Sequence, residues 1–202
     1  MAGAAAAFAS GVTLVTVADG RDDVGTTVSA FCPVSADPPL VLVSLIASSY
    51  PAELLGRLDR FAVTVLAADQ RVLAGRFAAS GRPGARLLLD GVPHQRGKLS
   101  GALIPAGGLA ALECEATQRV AAGDHLLVIA RVLDVPYVAE NGQPLIRFRG
   151  KYPPLSPGSP ALPGPATPGP PALPGPATPG PPALPGPATP GPPATVLSLI
   201  LT

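Results

Sequence analysis

The stretch "VGTTVSAFCPVSADPPLVLVSL", residues 24–45, decides the fold. Its first half is an apolar, strand-like run that carries hydroxyl side chains at Thr26, Thr27 and Ser29. Its second half, "LVLVSL", is a continuous apolar run typical of a buried strand. Between the two halves, Asp37-Pro38-Pro39 is a turn signal, because proline and aspartate favour turn conformations. The stretch therefore predicts two β-strands separated by a turn, the first of which places hydroxyl groups at three positions.

Short strand-like runs of the same kind recur through the first 152 residues. They are "GVTLVTVA", "GTTVSAF", "LVLVSLI", "FAVTVLA", "AALECEATQRVA", "HLLVIARVLDV" and "PLIRFRG". Helical stretches are fewer: the alanine-rich start, "YPAELLGRLDR" behind the capping residue Ser49, and "DQRVLAGRFAAS". Seven short strands with few helices predict an antiparallel β-barrel or sandwich with peripheral helices. Because "LVLVSLI" is apolar almost throughout, we expect it to be buried on both faces.

Composition excludes several classes of function. The chain has 202 residues, 14 Lys and Arg against 13 Asp and Glu, and only 4% aromatic residues. A nearly neutral chain has no general attraction to nucleic acid or to an anionic membrane. No run reaches the roughly 18 apolar residues of a membrane-spanning helix. Cys32 and Cys114 have no metal-site spacing, and we interpret both as reduced, half-buried thiols of a cytoplasmic protein. Two histidines are too few for a histidine-rich metal centre, so no metal site is expected.

The composition changes sharply after residue 152, which divides the chain into a folded domain at 1–152 and a tail at 153–202. In the tail, "ALPGPATPGPP" occurs three times in tandem over residues 161–193. Each copy has five prolines and two glycines and little to bury, which predicts a disordered, partly polyproline II segment. It could be a spacer, a docking ligand for proline-binding partners, or an expanded DNA repeat without a selected role. We favour the last interpretation.

Two hydroxyl clusters are candidates for ligand binding. Period two places Thr27 and Ser29 on one face of their strand, where they could hydrogen-bond a planar polar ligand. The alternative is a half-exposed strand with threonine at favourable positions. Ser44, Ser48 and Ser49 lie between a strand and a helix, and a helix N-terminus suits a phosphate. The alternative there is ordinary helix capping by serine.

Two further candidates lie towards the end of the domain. His125 opens a strand after a Gly-Asp turn, where it could contact a ligand or make only a structural hydrogen bond. Arg147, Arg149 and Lys151 alternate and predict a basic strip, which could bind a phosphate or carboxylate or simply protect an edge strand. The chain has no glycine-rich phosphate loop and no nucleophile elbow. If the protein is an enzyme, a bound cofactor therefore carries the chemistry.

Taken in order, five segments resemble one family. They are "FASGVTLVTV", the opening stretch of residues 24–45, "RFAVTVLAADQ", "ALECEATQRVAAGDHLLVIARV" and "PLIRFRGKY". The resemblance is to the flavin reductase-like domain family, the short-chain NAD(P)H:flavin oxidoreductases that serve two-component flavin monooxygenases. It covers residues 8–152, and its most specific parts are "TVSAF", the following serine and proline pair, and "GDH".

The resemblance implies a mainly β fold, an FMN-binding split β-barrel, usually a homodimer, that binds FMN or FAD and takes hydride from NADH or NADPH. It implies that the reduced flavin passes to a separate oxygenase component. His125 would lie near the nicotinamide as the catalytic residue. The implied flavin-binding residues are Thr27, Val28, Ser29, Ala30, Ser44, Ser48, Ser49, Arg149 and Tyr152. The alternative function is a split-barrel protein that binds flavin without catalysis.

The chain departs from the family pattern at two positions in its strands. Thr64 stands where the family often has asparagine, so one hydrogen-bonding contact to the flavin could be lost. Ala130 stands where the family has glycine, and the added methyl group could crowd a close packing contact. The segment after Ser44, "IASS", also lacks the basic residue that the family often carries before the serine pair, so phosphate binding could depend on Arg57 or Arg76. Thr64 and this missing basic residue keep the non-catalytic alternative open.

Overall fold

The computed structural model describes residues 2–20 and 23–155. The predicted tail lies outside the described residues except for its first three, 153–155, which form no helix or strand. In the described part of the chain, no helix is long and apolar enough to cross a membrane. The described domain is mainly β, as predicted.

The described strands run in chain order as follows: β1 Ser10–Gly11, β2 Thr13–Val17, β3 Val24–Val28, β4 Phe31–Ser35, β5 Leu40–Ile46, β6 Arg60–Val65, β7 His94–Arg96, β8 Leu103–Pro105, β9 Ala110–Ala122, β10 His125–Val138 and β11 Ile146–Arg147. The helices are α1 Ala2–Ala5, α2 Tyr50–Arg57, α3 Arg71–Ala78 and α4 Ala85–Leu88, with a 3-10 turn at Ala68–Gln70.

Seven strands form one antiparallel sheet in the order β3-β2-β6-β9-β10-β5-β4. Its two edge strands, β3 and β4, are consecutive in the chain and are joined by Ser29 and Ala30 alone. Two residues span only about 7 Å, so the two edges of the sheet must lie side by side. Within this junction, the Ala30 carbonyl accepts from the Ser44 amide of β5 at 2.9 Å. The sheet is therefore curled into a barrel.

The barrel interior is filled by one face of each strand, with β5 contributing Val41, Val43 and Leu45. Helix α2 adds Leu54 and Leu55 to the same cluster. It begins at the predicted cap, because the Ser49 hydroxyl accepts from the Ala52 amide at 3.4 Å. Helices α3 and α4 pack against the outside of β2 through a second apolar cluster.

The run "LVLVSLI" matches the bounds of β5, and within a single chain only its inward face is fully buried, so burial of the outward face would need a partner. Burial along β5 alternates, and Ile46 on the outward face is 57% exposed. The turn at residues 37–39 also connects different strands from those expected. It joins β4 to β5, whereas β3 pairs only with β2 among the described strands. Strand β4 was not predicted from the sequence, because Pro33 interrupts its apolar pattern. A proline is tolerated there because β4 is an edge strand.

Two smaller expectations are also corrected. The two cysteines are free but not half-buried: Cys32 is exposed and Cys114 is buried. The basic strip does not lie on one strand, because β11 ends at Arg147 and the chain then turns through Arg149, whose φ is 48°. Ala130, where the family has glycine, is fully buried within the apolar interior of the barrel.

Candidate functional site

A cleft of about 610 Å³ lies where the two ends of the domain approach the β3–β4 junction. We call it the main cleft. One wall, the strand wall, comes from the junction, β4 and β5: Ser29, Ala30, Phe31, Cys32 and Leu42. The rest of the lining, which we call the terminal wall, comes from both ends of the domain: Ala5, Ala6, Phe8, Ser10, Arg147, Arg149 and Gly150. The cleft therefore brings together Ser29, Ala30 and Arg149 of the predicted site.

The terminal wall is held by main-chain hydrogen bonds between the two ends of the domain. Ser10 pairs with Arg147 in the β1–β11 ladder. The Arg149 amide donates to the Ala6 carbonyl at 2.9 Å. The Arg149 guanidinium lies 5.2 Å from the centre of the Phe148 ring. The terminal wall thus presents two arginines, 147 and 149, to the cleft, and this positive charge suits an anionic ligand.

The remaining predicted serines lie along β5 and the turn that follows it. Ser44 adjoins the strand wall through its hydrogen bond to Ala30 and faces outward with Leu42 and Ile46. Ser49 caps α2, and its hydroxyl also donates to the Ile46 carbonyl at 2.7 Å. Ser48 is exposed at the same turn. The amides of Ala52 and Glu53 bond to Ser49, and Pro51 has no N–H, so the exposed Ser48 hydroxyl is the polar group at this turn that remains available to a phosphate.

His125 opens β10 beside this same turn. It pairs with Ile46 in the β10–β5 ladder, and the Ala47 amide donates to the Asp124 carbonyl at 2.9 Å. The His125 side chain is 39% exposed, and its Nδ1 lies 2.7 Å from Asp124 Oδ1. This hydrogen bond lowers the pKa of the Asp124 carboxyl below its usual value. The carboxylate orients the imidazole and leaves Nε2 available to a ligand.

Three predicted side chains are used by the fold itself. The Thr27 hydroxyl donates to the Ala74 carbonyl in α3 at 2.7 Å. Val28 is 5% exposed and belongs to the barrel interior. Tyr152 packs against the outer apolar cluster, with the Arg71 guanidinium 5.8 Å from its ring centre. Only the main-chain atoms of Thr27 and Val28 are therefore available to a ligand without a change in packing.

Gly25 and Thr64 lie on strands of the barrel and do not line the main cleft. A Cβ at Gly25 would lie 2.5 Å from the Phe77 ring, so this glycine makes room for a core side chain rather than for a ligand. Thr64 is 1% exposed, and its hydroxyl has no hydrogen-bond partner among the described residues. Its methyl group faces Gly108, on a part of the barrel away from the main cleft lining.

Phe8, Phe31 and Leu42 line the main cleft, although their sequence pattern predicted no role in a site. Phe8 stands in "FASGV", which carried the resemblance but has no polar group to suggest chemistry. A second cleft of about 550 Å³ shares Phe31 with the main cleft and contains none of the predicted site residues. In the described residues, no group of three or more His, Cys, Asp or Glu side chains could hold a metal ion.

Comparison with known proteins gives the family. The sequence profile of the flavin reductase like domain matches residues 5–156, so the chain belongs to this family. A relative from Streptomyces nodosus subsp. asukaensis, an NADH-dependent FMN reductase, is 36% identical over 149 residues, covering 72% of this chain and 78% of that protein. The reductase component of 4-hydroxyphenylacetate 3-monooxygenase from Thermus thermophilus is 33% identical over 149 residues, covering 74% and 91% of the two chains.

A solved structure agrees with this assignment. The Streptomyces globisporus NADH:FAD oxidoreductase, in complex with NAD and FAD fragments, matches with a TM-score of 0.71 and 31% identity. The match covers 77% of this chain and 91% of that chain. The predicted family and the predicted mainly β barrel are therefore both confirmed.

Proposed function

We propose that the protein is an NADH-dependent flavin reductase that reduces FMN or FAD and supplies the reduced flavin to a separate oxygenase. The observation that carries this proposal is the main cleft. The cleft brings the Ser29 hydroxyl of the β3–β4 junction together with Arg147 and Arg149, in a chain that belongs to the flavin reductase like domain family. Its volume lies within the range of about 300–1,000 Å³ that small-molecule sites occupy. Two of the proteins named above are an NADH-dependent FMN reductase and an NADH:FAD oxidoreductase. They support NADH as the hydride donor, and they support FMN and FAD equally as the hydride acceptor.

The residues around the cleft fit the parts of a flavin. We assign Ser29, Ala30 and Ser44 to the edge of the ring, since Ser29 and Ala30 form the β3–β4 junction and Ser44 of β5 bonds to Ala30. Ser48 and Ser49 at the start of α2 suit the ribityl chain and phosphate. Thr27 and Val28 can contribute only main-chain contacts, because their side chains are packed elsewhere.

The remaining predicted residues have distinct tasks. When bound, the flavin supplies the hydride acceptor, and the nicotinamide supplies the hydride. His125, oriented by Asp124, holds the nicotinamide beside the turn at the end of β5. Arg149 places positive charge where a reduced ring develops negative charge. Tyr152 acts indirectly, by fixing the C-terminal segment against the outer cluster.

Steady-state oxidation of NADH and NADPH, with FMN, FAD or riboflavin added in turn, tests this function. Flavin-dependent turnover with NADH supports it, and the same series selects the flavin. Tight flavin binding without turnover for any pair would instead indicate a non-catalytic flavin-binding barrel.

Deletion of residues 153–202 is expected to leave turnover nearly unchanged, because the family profile ends at residue 156. A collapse of turnover would contradict the proposed boundary at 152.

A second copy of the chain is proposed to cover the outward face of β9 and β10 and the Ile46 end of β5. In the strand ladders, Leu127 of β10 pairs with Ser44 of β5 on one side and Val120 of β9 on the other. Val120 is 45% exposed and Ile46 57% exposed, which leaves an apolar face uncovered in a single chain. Val120→Asp should convert a dimer to a monomer in light scattering, whereas Val72→Asp on α3 should not. A dimer that survives Val120→Asp would place the interface elsewhere.

The reduced flavin is a freely diffusing product under this proposal. The relative from Thermus is the reductase component of a monooxygenase, which supports an oxygenase as the partner. We propose the cytoplasm as the compartment, since NADH is produced there and both cysteines are free thiols. Coupled turnover of this protein with a purified flavin-dependent oxygenase tests whether the reduced flavin reaches the oxygenase. Oxygenases that stay inactive with the flavin that this protein reduces would contradict the transfer.

A further inference from the structure

Phe8 is an aromatic side chain that packs against little of its own chain. It is 79% exposed, the highest value among the large apolar side chains of the described residues. Exposure alone means little, because single apolar residues are common on protein surfaces. Its position is what distinguishes it. Phe8 lines the main cleft on the terminal wall, and Ser29 and Ala30 line the same cleft on the strand wall.

The backbone on both sides of Phe8 is anchored. The Phe8 amide donates to the Ala5 carbonyl at 3.1 Å. The carbonyl of Ala6, two residues before Phe8, accepts from the Arg149 main-chain amide. Two residues further on, Ser10 enters the β1–β11 ladder. The Cα atom of Phe8 is therefore held beside the cleft, while the ring has few neighbours. A phenyl ring has no hydrogen-bonding group, so its contributions to a cleft are stacking and exclusion of water.

The second aromatic side chain of the cleft serves a different purpose. Phe31 on the strand wall is half-buried and packs against the barrel interior. Its ring is committed to the core, whereas the Phe8 ring is available. The remaining lining side chains of the strand wall are small or aliphatic, apart from the thiol of Cys32.

We infer that Phe8 is a binding residue that stacks on one face of the flavin ring in the main cleft. This inference rests on the proposed function, since it takes the flavin to be the planar ligand. Ser29 and Ala30 would contact the ring from the strand wall and Phe8 from the terminal wall. Phe8 thereby contributes to the affinity for the flavin and not to the affinity for the nicotinamide.

Fluorescence titration of FMN and FAD with the full-length protein tests the inference. Phe8→Ala should weaken flavin binding about three- to tenfold, the effect of losing one aromatic stacking contact. Phe8→Leu should also weaken it, because it keeps apolar bulk without the aromatic face. Phe8→Tyr should bind within about twofold of the original protein, since the stacking face is retained. Val72→Ala, which removes another exposed apolar side chain on α3, should have no effect.

Two further readouts separate the possible outcomes. The absorption spectrum of bound flavin should change in Phe8→Ala but not in Phe8→Tyr, and the KM for NADH at saturating flavin should stay unchanged. If the original protein binds no flavin, the proposed function fails and this inference with it. If the original protein binds and reduces flavin while Phe8→Ala binds it equally well, the inference alone is overturned. A change confined to the KM for NADH would also overturn it.

Discussion

Glu113→Gln should destabilise the protein strongly, although the substitution removes one charge and almost no volume. Glu113 lies on β9 and is 1% exposed. Its carboxylate accepts hydrogen bonds from three consecutive main-chain amides of the loop between β7 and β8, at 3.2, 2.9 and 2.6 Å, those of Lys98, Leu99 and Ser100. The Ser100 hydroxyl donates a fourth at 2.6 Å. One buried carboxylate therefore holds the loop against the barrel.

The size of the effect follows from these four hydrogen bonds. A hydrogen bond to a charged group contributes about 1.5–3 kcal/mol, and one between neutral groups about 0.5–1.5 kcal/mol. Glutamine keeps one acceptor oxygen but turns its NH2 group towards the Lys98 amide, which is itself a donor. Losing the charge on three bonds and leaving one amide unpaired should lower the free energy of unfolding by about 2–4 kcal/mol.

The effect should depend on pH in a definite direction. Burial alone would raise the pKa of Glu113, but the hydrogen bonds from Ser100, Leu99 and Lys98 outweigh it and hold the pKa below the usual 4.5. A carboxyl whose folded pKa is lowered stabilises the fold above its unfolded pKa, and the contribution is lost as pH falls through the folded pKa. The difference in stability between the original protein and Glu113→Gln should therefore be full at neutral pH and shrink in acid.

Urea denaturation at neutral and acidic pH measures both statements. Glu115→Gln is the matched control, since it makes the same substitution two residues along β9. Glu115 is half-buried and pairs with Arg60 at 3.4 Å and Arg131 at 3.0 Å. Exposed pairs of this kind contribute about 0–1 kcal/mol. The reasoning would be refuted if the two substitutions cost the same, or if the loss at Glu113 did not diminish in acid.

Three other outcomes are expected. Gly25→Ala should lower the free energy of unfolding by about 1–3 kcal/mol in thermal melts, because its Cβ would lie 2.5 Å from the Phe77 ring; an unchanged melting temperature would mean that the ring moves aside freely. His125→Ala should reduce kcat/KM for NADH by about tenfold or more while flavin affinity, measured by titration, changes little; equal losses would indicate a structural histidine. Bound flavin should slow alkylation of the exposed Cys32, followed by mass spectrometry, while Cys114 stays unreactive because burial raises its pKa; no protection of Cys32 would place the flavin outside the main cleft.

Local sequence pattern was sufficient for much of the fold. The apolar run "LVLVSLI" became β5 with the predicted bounds, and Ser49 caps α2 as predicted. Both features depend on neighbouring residues only: side-chain periodicity for the strand and one hydroxyl for the helix. The short strands β7 and β8 were not predicted, because three-residue strands carry too little periodicity to recognise.

The sequence by itself determined the family, the strand content and the set of polar residues from which a site could be built. Tertiary structure decided which of them remain available to a ligand. Thr27 and Ser29 look equivalent in the strand pattern, yet Thr27 donates its hydroxyl to a carbonyl 47 residues away in α3, while Ser29 lines the main cleft. Phe8 carries no chemical signal in its own segment, and it becomes a cleft residue only because β1 pairs with β11. Hydrogen bonds and contacts between distant segments depend on how the barrel closes, and no local pattern encodes that closure.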